Sequence, residues 1–213
     1  NYFPVPKKSF VINLASLDKV IEKKSINHIK KSINFSNKLN SKYYSFHAGF
    51  RFDPKPEQLG KTFNRIKLVD KKKSENFFLN RVNRLAKYAE KKNIKILVEN
   101  NVITKANVKR FKSNPCLLTN PFEITSFFKK THKNVGLLLD VGHLKVSSKT
   151  LGFDLQKAHK KIKKLISGYH LSDNNGLEDT NDSFNKYSWF WKNFKKTLDY
   201  FTIEVYNVSP KKL

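Results

Sequence analysis

Five short apolar runs recur along the chain, and each meets an ionisable side chain at or near its end. Tyr43-Tyr44-Ser45-Phe46 runs into His47, Ile94-Lys95-Ile96-Leu97-Val98 into Glu99, and Val135-Gly136-Leu137-Leu138-Leu139 into Asp140. Ile166-Ser167-Gly168-Tyr169 runs into His170, and Glu204 lies within Phe201-Thr202-Ile203-Glu204-Val205-Tyr206. Runs of this length, bounded by polar or turn-forming residues, read as strands. The stretch from Val135 to Val141 is apolar almost throughout, as expected of a strand covered by protein on both faces.

Helical spacing fills most of the intervals. Leu17 to Leu39 carries Val20, Ile21, Ile26, Ile29, Ile33 and Phe35, and Glu75 to Lys92 places Phe77, Phe78, Val82, Leu85, Ala86 and Ala89 on one face. Asn120-Pro121 is a capping asparagine followed by proline at the first helical position, and that helix runs to about Lys130. Phe153 to Ile166 reads as a lysine-rich amphipathic helix and Lys186 to Leu198 as the last one. The prolines in Asn1-Tyr2-Phe3-Pro4-Val5-Pro6 mark a loop, as do Pro54 and Pro56. The alternation of strand and helix predicts an α/β fold with a parallel sheet. In (β/α)8 barrels above all, functional side chains stand at the C-terminal ends of strands. About five strands are legible, where a closed barrel has eight.

Composition narrows the class. The chain has 213 residues, read as a single domain over 1–213, with 38% hydrophobic and 13% aromatic residues, a globular composition. No apolar stretch approaches the roughly 20 residues that span a bilayer, so no membrane partner is expected. The single cysteine, Cys116, has no internal partner for a disulfide, which favours a reducing, cytoplasmic setting. The net charge of +26 is nearly all lysine, spread over every helical segment and accompanied by abundant asparagine. AT-rich coding with lysines on solvated faces is the simplest account of it. A nucleic-acid partner is the weaker reading, and a positive field that attracts phosphorylated small molecules is a third. The chain contains no methionine, even at position 1, and is therefore read as a fragment of a longer one. Nothing in the pattern speaks against a homo-oligomer.

The strand-end side chains carry the chemistry. Taken alone, Glu99 reads equally well as a residue that reaches solvent, and Asp140 as a helix cap. Asp140 and His143 are three residues apart beside Gly142, which permits close backbone approach. His170 is followed by a long polar loop through Asp179, Asn181 and Asp182, and Glu204 has apolar or β-branched neighbours on both sides. A buried carboxylate is costly unless paired or bound to a metal, so several at successive strand ends point to one metal site. One imidazole with three carboxylates is a hard donor set that suits manganese, magnesium or cobalt and also accepts zinc. Such an ion holds a hydroxy-carbonyl substrate and stabilises an enediolate, and two glutamates on separate strands remove and return a proton. The aromatic run Tyr187-Ser188-Trp189-Phe190-Trp191 reads as core rather than as a sugar-stacking platform. His28, His132 and His159 lie in lysine-rich settings that read as surface.

The ordered set Phe46-His47-Ala48-Gly49, Val98-Glu99-Asn100, Leu139-Asp140-Val141-Gly142-His143, His170-Leu171-Ser172-Asp173 and Ile203-Glu204 resembles the xylose isomerase-like TIM-barrel superfamily. That group includes sugar-phosphate isomerases and epimerases as well as AP endonucleases of the endonuclease IV type. The resemblance covers about residues 40–207 and implies an incomplete (β/α)8 barrel made of strands four to eight, without the final helix. It implies Glu99, Asp140, His170 and Glu204 as metal ligands, with Glu99 and Glu204 also the acid/base pair. His47, His143, Asp179 and Asn181 would contact substrate, a sugar or sugar phosphate. The endonucleases carry Asp-x-His after the seventh strand, where this chain has Asp179-Thr180-Asn181, so a trinuclear zinc site is less well matched. The arginine that some ketose epimerases place after the seventh-strand histidine is also missing. The expected activity is therefore metal-dependent isomerisation or epimerisation. The alternatives are an AP endonuclease and a catalytically idle barrel that acts as a binding partner.

Overall fold

All five runs are strands, and they pair in parallel in chain order. A computed structural model of the chain describes residues 3–198, 200–206 and 208. Strands β1 (Tyr43–His47), β2 (Lys95–Glu99), β3 (Val135–Asp140), β4 (Ile166–Leu171) and β5 (Phe201–Ile203) form one sheet in the order β1-β2-β3-β4-β5. The connections carry helices α1 (Lys19–Lys38, ahead of β1), α2 (Lys71–Glu90), α3 (Lys105–Phe111), α4 (Pro121–Phe128), α5 (Val141–Leu151) and α6 (Leu155–Ile162). The described residues thus make a partial barrel, an open parallel sheet backed by helices.

Strand alternation sorts the side chains into two layers. Tyr44, Phe46, Ile96, Val98, Leu137, Leu139, Tyr169 and Leu171 join the core with Ile29 and Ile33 of α1 and Phe78, Val82 and Leu85 of α2. The alternate positions turn to the concave face. A Cβ on Gly136 would lie 2.3 Å from the Ser167 hydroxyl, and one on Gly168 2.5 Å from the Tyr200 ring, so only glycine fits there. Tyr43 and Tyr200, at opposite edges of the sheet, bring their rings to 5.3 Å. The sheet therefore curves until side chains from its two edges meet, while β1 and β5 do not pair with each other among the described residues. β1, β2 and β3 end on His47, Glu99 and Asp140, His170 is the penultimate residue of β4, and Glu204 directly follows β5; His47 pairs in register with Glu99, and Asp140 with His170.

Capping explains most helix starts. Asp18 accepts from the Val20 and Ile21 amides, Asp70 from Lys73, Asn120 from Phe122 and Glu123, and Asp154 from Lys157. Caps of this kind contribute about 1 kcal/mol each. No helix among the described residues is long and apolar enough to cross a membrane.

Several expectations need correcting. The last helix expected over Lys186–Leu198 is only a 3-10 turn at Trp189–Asn193. Its aromatics are adjacent rather than spaced at 3.6, so they cannot share one helical face. Instead Phe190 is fully buried, and Trp191 donates to the Asn185 carbonyl at 2.7 Å. The segment beyond Asp140 forms α5, a buried helix whose weak formers Gly142, Ser147 and Ser148 hide it from a propensity reading. Helix α3 was not foreseen either, being short and rich in lysine and asparagine. Phe3 to Pro6 is free of regular structure, as expected of a loop, while Asn1 and Tyr2 of that segment lie outside the described residues.

Two of the three histidines expected at the surface are buried. His28 packs edge-on against Phe10 with ring centroids 5.7 Å apart, and His159 is completely enclosed. His132 is half-buried, its Nδ1 taking the Asn134 amide at 3.3 Å. The lysines flanking His28 and His159 sit on the other side of each helix and mask the buried face.

His159 has a measurable consequence. Its Nε2 lies 3.1 Å from the Tyr169 hydroxyl, and burial, aided by the nearby Lys163 charge, pushes its pKa down to about 4. Unfolded, the same imidazole titrates near 6.5. As pH falls the unfolded chain takes up the proton first, so this stability is present above the unfolded pKa. It is lost between roughly pH 6.5 and pH 4, to at most about 3 kcal/mol. Urea unfolding of the protein and of His159→Phe across that window is expected to show a steeper acid loss for the parent. Parallel pH curves would remove the assignment.

Candidate metal centre

Glu99 is the hub of the concave face. Its Oε1 lies 3.3 Å from His170 Nδ1, 3.6 Å from His47 Nδ1 and 3.7 Å from His143 Nδ1. His170 Nδ1 is also 3.0 Å from Glu204 Oε1, which follows β5. Asp140 closes its strand and caps α5, its Oδ1 taking the His143 amide at 2.7 Å. That bond aims the first turn of α5 at the site, so His143 Nε2 stands 3.8 Å from Asp140 Oδ2 and 3.0 Å from Asp179 Oδ2. Asp140 thus caps the helix with Oδ1 and leaves Oδ2 buried beside His143 without a hydrogen bond.

These side chains fall into three overlapping groups whose donor atoms lie within 4.8 Å of one another. They are His47, Glu99 and His143; Glu99, Asp140, His170 and Glu204; and Asp140, His143 and Asp179. The second group is the ligand set read from the sequence.

The donors fit a divalent ion. Glu99 Oε2, Asp140 Oδ2 and Asp179 Oδ1 are all buried without a hydrogen bond. Orphaned buried polar atoms are rare in folded proteins and call for a partner. Electrostatics agree. Burial would push Glu99 up, yet His47, His170 and His143 hold its carboxyl well below the usual range. Burial drives Asp140 up to about 7, and the negative neighbours Glu99 and Asp179 push the same way. Burial opposes the charged form of His170, but Glu204 and Glu99 raise it to about 10. His143 is likewise raised against burial, by Asp140, Asp179 and Glu99. Four carboxylates thus face three imidazoles, an arrangement of donors that a cation would suit.

A cavity of about 740 Å³ opens beside His47, His143 and Asp179. Phe46, Phe50 and Phe63 contribute an apolar wall, while the exposed Lys61, Lys105 and Lys149 also line it. Asp179 reaches both cavity and cluster. Asn181, also read as a substrate contact, has its buried side chain against the Ser172 hydroxyl at 3.5 Å, and its carbonyl accepts from the Tyr206 amide. It ties the loop after β4 to the chain after β5. The sequence reading missed Val11 and Ile12, which line the cavity from a buried segment without regular structure. The apolar run Phe10-Val11-Ile12-Asn13-Leu14-Ala15 was the signal for it.

Comparison with solved structures finds the same architecture. A D-tagatose 3-epimerase-like protein is similar at TM-score 0.69 and 20% identity, over 92% of this chain and 68% of that one. The 3-keto-D-glucoside 4-epimerase of E. coli is similar at TM-score 0.65 and 9% identity, over 96% of this chain and 72% of that one. D-psicose 3-epimerase from Clostridium cellulolyticum H10 is similar at TM-score 0.54 and 18% identity, over 77% of this chain and 50% of that one. This chain therefore spans between half and about seven-tenths of the length of these proteins, and at such identities the likeness is one of fold. Comparison with curated proteins finds no match. A family model matches residues 3–203, nearly the whole chain, and by that match the chain belongs to the xylose isomerase-like TIM barrel family.

Proposed function

We propose that this chain carries the metal and acid/base side of a divalent-metal-dependent sugar or sugar-phosphate isomerase or epimerase. The observation that carries this reading is the pair of glutamates on either side of His170. Glu99 Oε1 approaches its Nδ1 to 3.3 Å from β2, and Glu204 Oε1 to 3.0 Å from the end of β5. Glu99, Asp140, His170 and Glu204 would hold the ion, with manganese, magnesium, cobalt and zinc all compatible with the donors. When bound, such an ion acts as a Lewis acid on substrate oxygens.

The chain's own groups do the rest. Glu99 is buried and held charged by three imidazoles, so it serves as a base toward a carbon acid next to a carbonyl. Glu204 is about a third exposed, on the far side of His170, and returns a proton from the opposite face. His143 and Asp179, which share a 3.0 Å contact at the cavity wall, orient substrate hydroxyls. The named epimerases of the same fold support a substrate of the sugar class.

The test is deuterium exchange. The protein loaded with manganese or cobalt is incubated in D2O with a panel of ketoses, aldoses and their phosphates, and products are read by NMR. Uptake of one deuterium next to the carbonyl of one panel member is the expected result. A metal-loaded protein that exchanges no panel member but cleaves abasic-site DNA would overturn the reading in favour of a nuclease. One that does neither would favour a binding role.

A further inference from the structure

Two residues immediately after Glu99 have no part in the donor set, yet both are almost completely buried. We propose that Asn100 and Asn101 are positioning residues of the centre, a pair of carboxamides that hold the strand ends on either side of Glu99 at the spacing its ligands require. The inference rests on the metal-centre reading above.

Asn100 works toward β3. The pairing of β2 with β3 ends at Glu99 opposite Leu138, short of Asp140. The Asn100 side chain continues it: its Oδ1 accepts from the Asp140 amide at 2.8 Å, and its Nδ2 donates to the Asp140 carbonyl at 3.2 Å. One side chain thus fixes both backbone groups of a ligand. The main-chain carbonyl of Asn100 lies 2.8 Å from His143 Nδ1. A carbonyl only accepts, so Nδ1 carries the proton and Nε2 faces Asp140 and Asp179.

Asn101 works toward β1. Its Nδ2 donates to the carbonyls of Ala48, Gly49 and Leu117 at 2.9, 3.1 and 3.2 Å. Ala48 and Gly49 directly follow His47, and the Ala48 amide donates to the Glu99 carbonyl at 2.9 Å. The turn has no slack, because a Cβ on Gly49 would meet Ala15 at 2.8 Å. Both asparagines lie just beyond the end of β2, and between them their side chains reach the chain at both neighbouring strand ends, Asp140 on one side and Ala48-Gly49 on the other. Groups of this kind typically change metal affinity 10- to 100-fold when removed.

The competing account is that these amides merely satisfy backbone carbonyls. Asn134 provides the control. Its Nδ2 donates to the Ala86 and Ile94 carbonyls at 3.2 and 2.8 Å, at the opposite end of the sheet. Cobalt(II) titration followed by visible absorption, with a melting curve for each protein, compares the parent with Asn100→Ala, Asn101→Ala and Asn134→Ala. Asn100→Ala and Asn101→Ala are expected to weaken cobalt binding about 10- to 100-fold, and Asn134→Ala to stay within about twofold of the parent despite a lower melting temperature. Asn101→Ser, which retains one donor, is expected to fall between Asn101→Ala and the parent.

Parent-like affinity in Asn100→Ala and Asn101→Ala overturns the proposal, as does an equal loss in Asn134→Ala. Failure of both Asn101→Ala and Asn101→Ser to fold would assign that amide to stability and overturn it as well. A parent that binds no cobalt removes the metal-centre reading beneath it. Unchanged variants of a cobalt-binding parent remove this inference alone.

Discussion

On the proposed reading, Glu99→Gln is expected to abolish divalent-metal binding at the centre and to lower turnover by roughly 10²- to 10⁴-fold. Glutamine keeps the size of the side chain, so the change isolates charge. The single oxygen Oε1 faces three imidazoles at 3.3–3.7 Å, and the buried Oε2 has no hydrogen-bond partner. An amide replaces one of these acceptors with a donor and removes the negative charge that both the imidazoles and a cation need. Glu204→Gln is expected to lose turnover to a similar degree while retaining more of the metal. Glu204 is about a third exposed at the site's edge and touches only one of the three histidines. Metal content after dialysis, measured beside turnover for both variants, separates the two roles. Equal metal loss in both would make Glu204 as central a ligand as Glu99. Unchanged metal and turnover in both would remove the acid/base assignment altogether.

How far the site was legible depends on which physical signal each part leaves in sequence. Strand ends leave a strong one, because a carboxylate or imidazole within or directly after a short, largely apolar run violates the usual burial pattern. Glu99, Asp140, His170 and Glu204 were found in this way, and the structure brings their donor atoms within 4.8 Å of one another. Their order along the chain, set by parallel pairing of successive strands, is also the order around the mouth. Asn181 carried a weaker signal, a polar residue in a polar loop, and its side chain lies against the Ser172 hydroxyl.

What stayed hidden lacks periodicity. Val11 and Ile12 belong to an irregular segment whose burial comes from tertiary contacts, and Trp189–Asn193 replaces a helix because its rings dock in several directions. His159 was masked by the lysines around it, although the helix that carries it is strongly amphipathic. Asn100 and Asn101 were visible as letters and invisible as chemistry. A carboxamide that spans to a neighbouring strand is specified only by the register that brings the strand there.

Arg81→Ala is expected to destabilise the fold by about 2–4 kcal/mol, from two buried carbonyls left without partners and lost packing between the helices. Arg81 is on α2, almost wholly buried, and its Nη1 donates to the Leu14 and Ser16 carbonyls at 2.8 and 2.7 Å. Its Nη2 meets Glu22 of α1 at 3.0 Å, and its guanidinium lies 4.7 Å from the centre of the Phe77 ring. Alanine would leave two buried carbonyls unpaired and a cavity between the helices. Lysine is not expected to rescue the loss, since one ammonium cannot reproduce the planar fork that serves both carbonyls and the carboxylate. Glu22→Gln should cost less, about 1 kcal/mol, because Glu22 is more exposed and the guanidinium keeps its carbonyl partners. The effect should also reach the cavity. The segment Arg81 holds begins next to Asn13, whose Nδ2 donates to the Phe50 and Phe52 carbonyls, and next to Ile12, which lines the cavity. Urea unfolding of the three variants tests the ranking: a cost below about 1 kcal/mol for Arg81→Ala, or recovery in Arg81→Lys, would mean that packing rather than the fork secures this segment.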